Sequence, residues 1–362
     1  MNTIKSIVID YGSLYKAMKK CQKGVLWKDA PTKFSVANGL VNLYILCTDL
    51  ENDRYDLSPY GHFTIYEPKE RPVTSTNFRD RVVQRSLCDN YLYDALTKSF
   101  IRANCACQTG KGTSDARDLL VRYLHEAFRH YGIDVSYLKG DIKDFFGSTK
   151  HTVAKIQANK VVSDEWVMQE ICRIIDSFEK NGDHTIGMGL GSQITQLLQL
   201  SVLNELDHFI KERLKIKWYV RYMDDFILIH PDKFYLHYCY EQIGHFISEK
   251  LELVLSTKKT KIAPVTQPIH FLGFSYFVTE TGKVIDKRLP EKVSHERRKL
   301  KRAVARAKAG LMPRSKVDEM YNSWRSCTSG QKHGSKRFHH HTHSLVLEMD
   351  QFYKSLWEDT KP

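Results

Sequence analysis

Two apolar runs, Trp218 to Tyr222 and Phe226 to His230, are separated only by Met223-Asp224-Asp225. Each run has the length and the aromatic and β-branched content of a buried strand, so the segment reads as strand, tight turn, strand. The turn carries two adjacent carboxylates. In an exposed turn such a pair is simply solvated, but between buried strands it leaves negative charge uncompensated unless a metal neutralises it. A second apolar run, Val135 to Ile142, contains Asp141 near its end and is followed by Asp144, Phe145 and Phe146. By itself Asp141 reads as a turn residue or helix cap. If the strands lie side by side, Asp141, Asp224 and Asp225 supply the hard oxygen ligands that magnesium prefers. They then meet the demand of phosphoryl transfer by two cations about 4 Å apart, one activating the attacking hydroxyl and one clamping the leaving group.

Elsewhere the chain alternates helix and strand patterns. Residues 1 to about 57 are weakly helical, with Phe34 to Leu46 at helical spacing, and carry no recognisable chemistry. Phe63 to Tyr66 and Val73 to Thr76 read as a hairpin whose turn, Glu67 to Pro72, holds Lys69 and Arg71. Those two side chains suit a phosphate grip, a planar fork and a point charge, or are ordinary surface charge. Arg79 to Phe100 is helix-like, and Thr113 or Ser114 is placed to cap a helix running to about Tyr131. Gly187 to Ser192 is a glycine-rich loop feeding a helix with apolar positions Ile194 to Phe209. Its glycines suggest dinucleotide binding only weakly, because the preceding strand and the following acidic partner are missing. Tyr235 to Leu253 is an amphipathic helix, and Phe271 to Phe277 begins a strand pair. From Leu289 onward the pattern is helical and basic, broken near Gly310 to Pro313 and at Ser329-Gly330.

Composition narrows the partners. The chain of 362 residues carries 55 Lys and Arg against 42 Asp and Glu, a formal charge of +13, while 42% hydrophobic content is ordinary for a globular protein. A globular chain this basic usually meets a polyanion, with nucleic acid the first choice and anionic membrane the second. Arg297 to Arg302, with Arg306 and Lys308, forms a basic helix suited to phosphate contact. Tyr321 and Trp324 follow it, placed either to pack or to stack on bases. No apolar run is long enough to span a membrane and no secretory signal is recognisable, so a cytoplasmic location is expected. The eight cysteines are scattered, Cys105 and Cys107 match no common metal or redox spacing, and all read as reduced structural thiols. His339, His340, His341 and His343 sit in a basic helical pattern, and no metal is assigned to them.

Taken together, these residues resemble the reverse transcriptase family. Tyr222-Met223-Asp224-Asp225 matches its most diagnostic motif, and Asp141-Ile142-Lys143-Asp144-Phe145-Phe146 is similar to its first catalytic strand. Glu67 to Arg85 resembles the fingers hairpin and following helix. Gly110-Lys111-Gly112, Lys258 to Lys261 and Phe271-Leu272-Gly273-Phe274 extend the similarity over about residues 60 to 280. The resemblance implies an α+β right-hand polymerase, with fingers, an antiparallel palm sheet flanked by helices, and a helical thumb. Its divisions fall at 1–57 (N-terminal helical extension), 58–132 (fingers), 133–288 (palm, with a helical insertion near 150–185) and 289–362 (thumb). It implies a metal set of Asp141, Ile142, Asp224 and Asp225 for two Mg2+ ions, with Mn2+ as an alternative. Lys259 becomes the general acid for the departing pyrophosphate, though Lys258 and Lys261 are equally basic. Phe146 takes the position of the gate that excludes a ribose 2′ hydroxyl. Gly191 would let the backbone approach the nucleotide, and Gln196 would touch template or base, or simply bond its helix neighbours.

The implied activity is RNA-directed DNA synthesis on an RNA template, with a DNA primer or product and dNTPs. A cognate noncoding RNA and an accessory protein or second copy are further expected partners, and a membrane is not. The segment Gly191 to Gln196 resembles the form ending in Ser-Gln, here Thr195-Gln196, rather than that of group II intron maturases. Together with the compact layout, this favours a bacterial or phage element, either a diversity-generating retroelement or a defence system. Template-independent or protein-primed synthesis in anti-phage defence remains a rival, as does a catalytically idle RNA-binding scaffold.

Overall fold

A computed structural model describes residues 3–26, 28–66, 70–189, 191–329 and 340–358. In chain order the first elements are α1 (Ile4–Ile9), α2 (Tyr11–Gln22), α3 (Asp29–Thr32), α4 (Gly39–Glu51), β1 (Gly61–Ile65), β2 (Arg71–Ser75), α5 (Phe78–Leu87), α6 (Tyr93–Thr97), α7 (Thr113–Tyr131) and β3 (Ser136–Asp141). The middle of the chain holds α8 (Phe145–Ser148), α9 (His151–Asn159), α10 (Glu165–Asp176), α11 (Gln193–Val202), α12 (Asn204–His208), β4 (Trp218–Tyr222), β5 (Asp225–His230) and α13 (Lys233–Leu251). Then come β6 (Lys261–Pro264), β7 (Ile269–Phe271), β8 (Phe274–Val278), β9 (Val284–Arg288), α14 (Pro290–Lys308), α15 (Arg314–Ser329) and α16 (His340–Ser355). Three sheets form: β1-β2, β4-β5-β3-β6 and β7-β8-β9.

The chain divides into two compact units. One comprises Met1–Gly112, Gly140–Phe226 and His237–Thr260, and the other Thr113–Lys139, Ile227–Leu236 and Lys261–Pro362. In the first, α1, α2, α4 and α5 enclose a core of Ile9, Leu14, Met18, Leu43, Leu46, Val82 and neighbours. Local chemistry sets its helix starts. Asp10 accepts from Ser13 N at the start of α2 and Asp164 from Val167 N at the start of α10. Val167, Ile171, Ile174 and Ile175, at helical spacing, bury one face of α10. β1 and β2 pair in antiparallel register from Gly61 opposite Ser75 to Ile65 opposite Arg71, as expected of a hairpin.

In the second unit β3 pairs antiparallel with β6, and β7 with β8 and β9. The basic helix α14 opens on Pro290, whose missing N–H is no loss at a first helical position. Leu300, Ala303 and Val304 of α14 pack with Val317, Tyr321 and Trp324 of α15 and Met349 and Tyr353 of α16. Tyr321 lies stacked on Tyr353 with ring centres 4.2 Å apart and donates to Asp350. The two aromatics placed either to pack or to stack are therefore core residues, because their rings fill the three-helix interior.

Several local expectations are corrected. Phe34 to Leu46 is not one helix: a π-helical turn, Lys33–Ala37, ends at Asn38, whose φ of −137° breaks the path before α4. Arg79 to Phe100, by contrast, is helical as expected, running through a π-helical turn at Cys88–Leu92 without leaving the right-handed helical region and ending at Thr97. Thr113 is the first residue of α7 rather than its cap. All eight cysteines are free thiols, and burial pushes Cys21 and Cys47 up to about 11, as inert structural thiols require. His339 lies outside the described residues, as do the side chains of His340 and His341, while His343 is exposed.

One glycine fixes a contact between strands. A Cβ on Gly140 would stand 2.2 Å from Phe226 Cζ, so the Phe226 ring covers the backbone just before Asp141. Gly140→Ala is expected to lower stability by about 1–3 kcal/mol through overpacking, read in urea melts of the full chain, and Phe226→Leu added to it should recover most of that loss. Trp324→Ala should cost about 3–5 kcal/mol by opening the helical core, whereas Arg298→Ala on the exposed side of α14 should stay within about 0.5 kcal/mol.

Candidate active site

The turn between β4 and β5 carries the acidic pair. Met223 takes φ 55°, in the left-handed region that costs a side chain such as Met about 1–2 kcal/mol. Asp224 follows in the turn and Asp225 is the first residue of β5. β3 is the neighbour of β5 in the sheet, and Asp141 is its last residue. Because Gly140 faces Phe226, the residues next to them in sequence, Asp141 and Asp225, stand at the same end of the two strands.

Asp141 is buried, and the Lys259 ammonium donates to its Oδ1 at 2.7 Å. The segment after α13 runs along the end of β3: Lys143 N donates to Val254 O, Ser256 N donates to Asp141 O, and Ile142 is bridged to Leu255. Of the three neighbouring lysines, Lys259 is the one whose ammonium reaches Asp141, while Lys261 is committed to β6, opposite Lys139.

Phe145 and Phe146 open the short helix α8 after Asp144, itself left-handed at φ 46°. Phe145 is buried and packs edge-on against the half-buried Phe146 ring at 5.6 Å. Two further bonds hold this turn: Met188 N donates to Phe146 O at 2.7 Å, and the Thr149 hydroxyl lies 2.8 Å from Phe145 O. Behind Thr149, 3.0 Å away, is the carboxamide oxygen of the fully buried Gln199.

Gly191 adopts φ +116°, which a side chain would resist, and approaches Thr74 O of β2. Ser192 Oγ donates to the buried Gln84 Oε1 at 2.7 Å, and Arg85 Nη1 donates to Gln193 Oε1 at 3.0 Å, so α5 holds the glycine-rich loop. Gln196, half-buried on α11, lies 3.4 Å from Cys107 Sγ through its Oε1, and that sulfur is 4.0 Å from Met223 Sδ. The structure thus brings Gln196 to the Met223 turn through a cysteine. Burial raises the Cys107 thiol above its ordinary value and does the same for the Tyr222 hydroxyl, which Cys107 also raises.

Lys69 lies outside the described residues, and Arg71 is the first residue of β2, its side chain not described. In the second unit, Arg298, Lys301 and Arg302 are exposed on α14, whereas Arg297 lies half-buried against Phe352 and Met349.

Sequence reasoning passed over Arg221 and Asp207, which form an ion pair with both side chains at 0% exposure. Arg221 is one residue before the diagnostic tetrapeptide, and a charged residue in an otherwise apolar strand was the signal available.

Asp141, Asp224 and Asp225 are hard oxygen donors of the type magnesium prefers, and Asp141 already pairs with a cationic group, the Lys259 ammonium. Among the described residues no group of three or more His, Cys, Asp or Glu is gathered so that it could hold a metal ion by itself. Magnesium does not require one, since it is commonly held by one or two carboxylates together with water and substrate phosphates.

A sequence description of the family reverse transcriptase (RNA-dependent DNA polymerase) matches residues 66–276. The group II intron-encoded protein LtrA of Lactococcus lactis subsp. cremoris is 39% identical over 71 residues, 19% of this chain and 12% of that protein. Among solved structures, telomerase from Candida albicans in complex with the TWJ fragment of telomeric RNA has a TM-score of 0.50 at 14% identity, covering 86% of this chain and 57% of that one. Apo telomerase from Candida tropicalis follows at 0.46 and 13% identity, covering 64% of this chain and 48% of its own. At 14% identity the likeness to the Candida albicans structure is one of fold, the α+β right-hand polymerase architecture. The chain spans well under two thirds of the proteins it matches. No helix among the described residues is long and apolar enough to cross a membrane. Family members generally use divalent metal ions and act on nucleic acid. With the family matched over more than half its length and the diagnostic carboxylates inside the match, this chain belongs to the reverse transcriptase family, the RNA-directed DNA polymerases among the nucleotidyltransferases.

Proposed function

We propose that the protein is an RNA-directed DNA polymerase of a bacterial or phage element, working by nucleotidyl transfer with two Mg2+ ions held by Asp141, Asp224, Asp225 and the Ile142 carbonyl. The observation that carries this reading is the placement of Asp141 and Asp225 at the same end of neighbouring strands, with a cationic Lys259 already on Asp141. The similarity to a Lactococcus lactis intron-encoded protein supports the bacterial origin. When bound, the cations activate the primer 3′ hydroxyl and neutralise charge on the triphosphate.

The chain's own residues do the rest. Lys259, whose ammonium donates to Asp141, is placed to turn its proton toward the pyrophosphate as it leaves. Phe146, anchored through Phe145, presents a half-exposed ring that excludes a 2′ hydroxyl by bulk. Lys69 and Arg71 on the hairpin grip the triphosphate, and Gly191 lets the backbone come close to it. Gln196 contacts template or base. Arg297, Arg298, Lys301 and Arg302 hold nucleic-acid phosphates and make binding salt-dependent. An RNA template, a DNA primer and dNTPs are the substrates, with a cognate noncoding RNA and an accessory protein or second copy as further partners.

Purified full chain given a primed RNA template and dNTPs should extend the primer in Mg2+. Asp224→Asn should lower the rate at least about a hundredfold, since several kcal/mol of transition-state charge stabilisation are lost. Extension independent of template sequence would instead assign template-independent synthesis. Phe146→Ala should raise the ratio of rNTP to dNTP kcat/KM by about 10–100-fold, and an unchanged ratio would remove the gate from Phe146.

A further inference from the structure

Behind the catalytic turn lies a buried charge network that the polymerase reading does not use. Arg221, the penultimate residue of β4, points its guanidinium into the interior, where its Nε and Nη2 donate to Asp207 Oδ1 and Oδ2 of α12 at 2.6 and 2.5 Å. Asp207 Oδ1 also accepts from the Tyr219 hydroxyl at 2.6 Å. The remaining arm, Nη1, donates to the carbonyl of Met223 at 2.9 Å. Arg221 is equally fixed by its backbone: its N–H donates to Ala103 O at 2.9 Å, and its carbonyl accepts from Cys105 N at 3.0 Å. Burial opposes charge on Arg221, yet the Asp207 carboxylate holds its pKa above the ordinary value, so the guanidinium stays a cation.

The Met223 carbonyl is the group that needs holding. Met223 is left-handed without the advantages of Gly, Asn or Asp, and such a conformation persists only where its surroundings over-determine it. Arg221 and Asp207 both stand at 0% exposure, so the guanidinium that reaches the half-buried Met223 is itself held away from water. The directions in which the next two residues, Asp224 and Asp225, project depend on that conformation.

We propose that Arg221, locked by Asp207, is a positioning residue that imposes the left-handed turn at Met223 and thereby aims the carboxylates of Asp224 and Asp225. The inference rests on the polymerase reading of those carboxylates. It differs from simple stabilisation by a buried ion pair, which would affect how much protein folds and not what the folded protein does.

The test uses the full chain with Arg221→Met and Asp207→Leu combined, a replacement that strands no buried charge and is commonly tolerated by the fold. Folded double variant should lose about thirtyfold or more in kcat, as a catalytic group displaced from a distance does, while dNTP KM moves less than about threefold. Mn2+ binding without substrate, read by electron paramagnetic resonance, should weaken by about tenfold, consistent with misaimed ligands. The same pair of substitutions introduced beside Met223→Gly should cost less than about threefold relative to Met223→Gly alone, because glycine adopts positive φ without an outside donor. Folded double variant with kcat and Mn2+ affinity both near parental values would overturn the proposal, as would an equal loss in both backgrounds. If the double variant does not fold, Asp207→Asn takes its place, and activity per folded molecule equal to the parent would overturn the proposal. A parent that extends no primer would defeat the polymerase reading, and the Mn2+ measurement would still decide the positioning role.

Discussion

Asp141 and Asp225 stand at the same end of neighbouring strands, with Asp224 beside Asp225 in the turn. The surrounding structure is organised around that placement. Lys259 brings a cation to Asp141, and the segment from Val254 to Ser256 fixes the backbone there. Gly140 gives up its side chain so that Phe226 can close over the strand. Behind the turn, Arg221 and Asp207 neutralise each other in the interior and hold the Met223 carbonyl. Apolar packing alone would not keep such a turn in place.

The same first unit holds other candidate residues by specific bonds, and brings one of them, Gln196, to this turn. Gln196 reaches it through Cys107, and Phe146 is placed by Phe145, Thr149 and Met188. The glycine-rich loop is tied to α5 by Gln84 and Arg85. Thr149, Gln84 and Ser192 in these links are buried with few alternatives, which gives them one geometry in preference to many. The second unit follows another logic: its helices associate through an aromatic and aliphatic core and leave Arg298, Lys301 and Arg302 at the surface.

Much of this was legible before any tertiary information. The alternation of short apolar runs and turn residues gave β4 and β5 nearly to the residue, since strands buried on both faces cannot hide in sequence, and placed the more exposed β1 and β2 within two residues at each end. Long helices such as α7 and α14 were legible for the same reason at a different period. What misled was local continuity: Phe34 to Leu46 keeps a helical apolar spacing through Asn38, where the backbone departs from it. Trp324 beside a basic helix is equally consistent with stacking and with packing, and sequence neighbours carry no information on which side of the helix is covered.

The sequence by itself determined the family, through the resemblance carried by Tyr222-Met223-Asp224-Asp225 and Asp141 to Phe146, and local periodicity determined most of the elements that carry those residues. Tertiary structure alone decided which of three neighbouring lysines meets Asp141, why residue 140 is glycine, and that Asp207 on α12 answers Arg221. Ion pairs and close approaches depend on distances of a few ångströms between segments far apart in the chain. Those distances are set by how all the elements pack at once, and no local pattern encodes them.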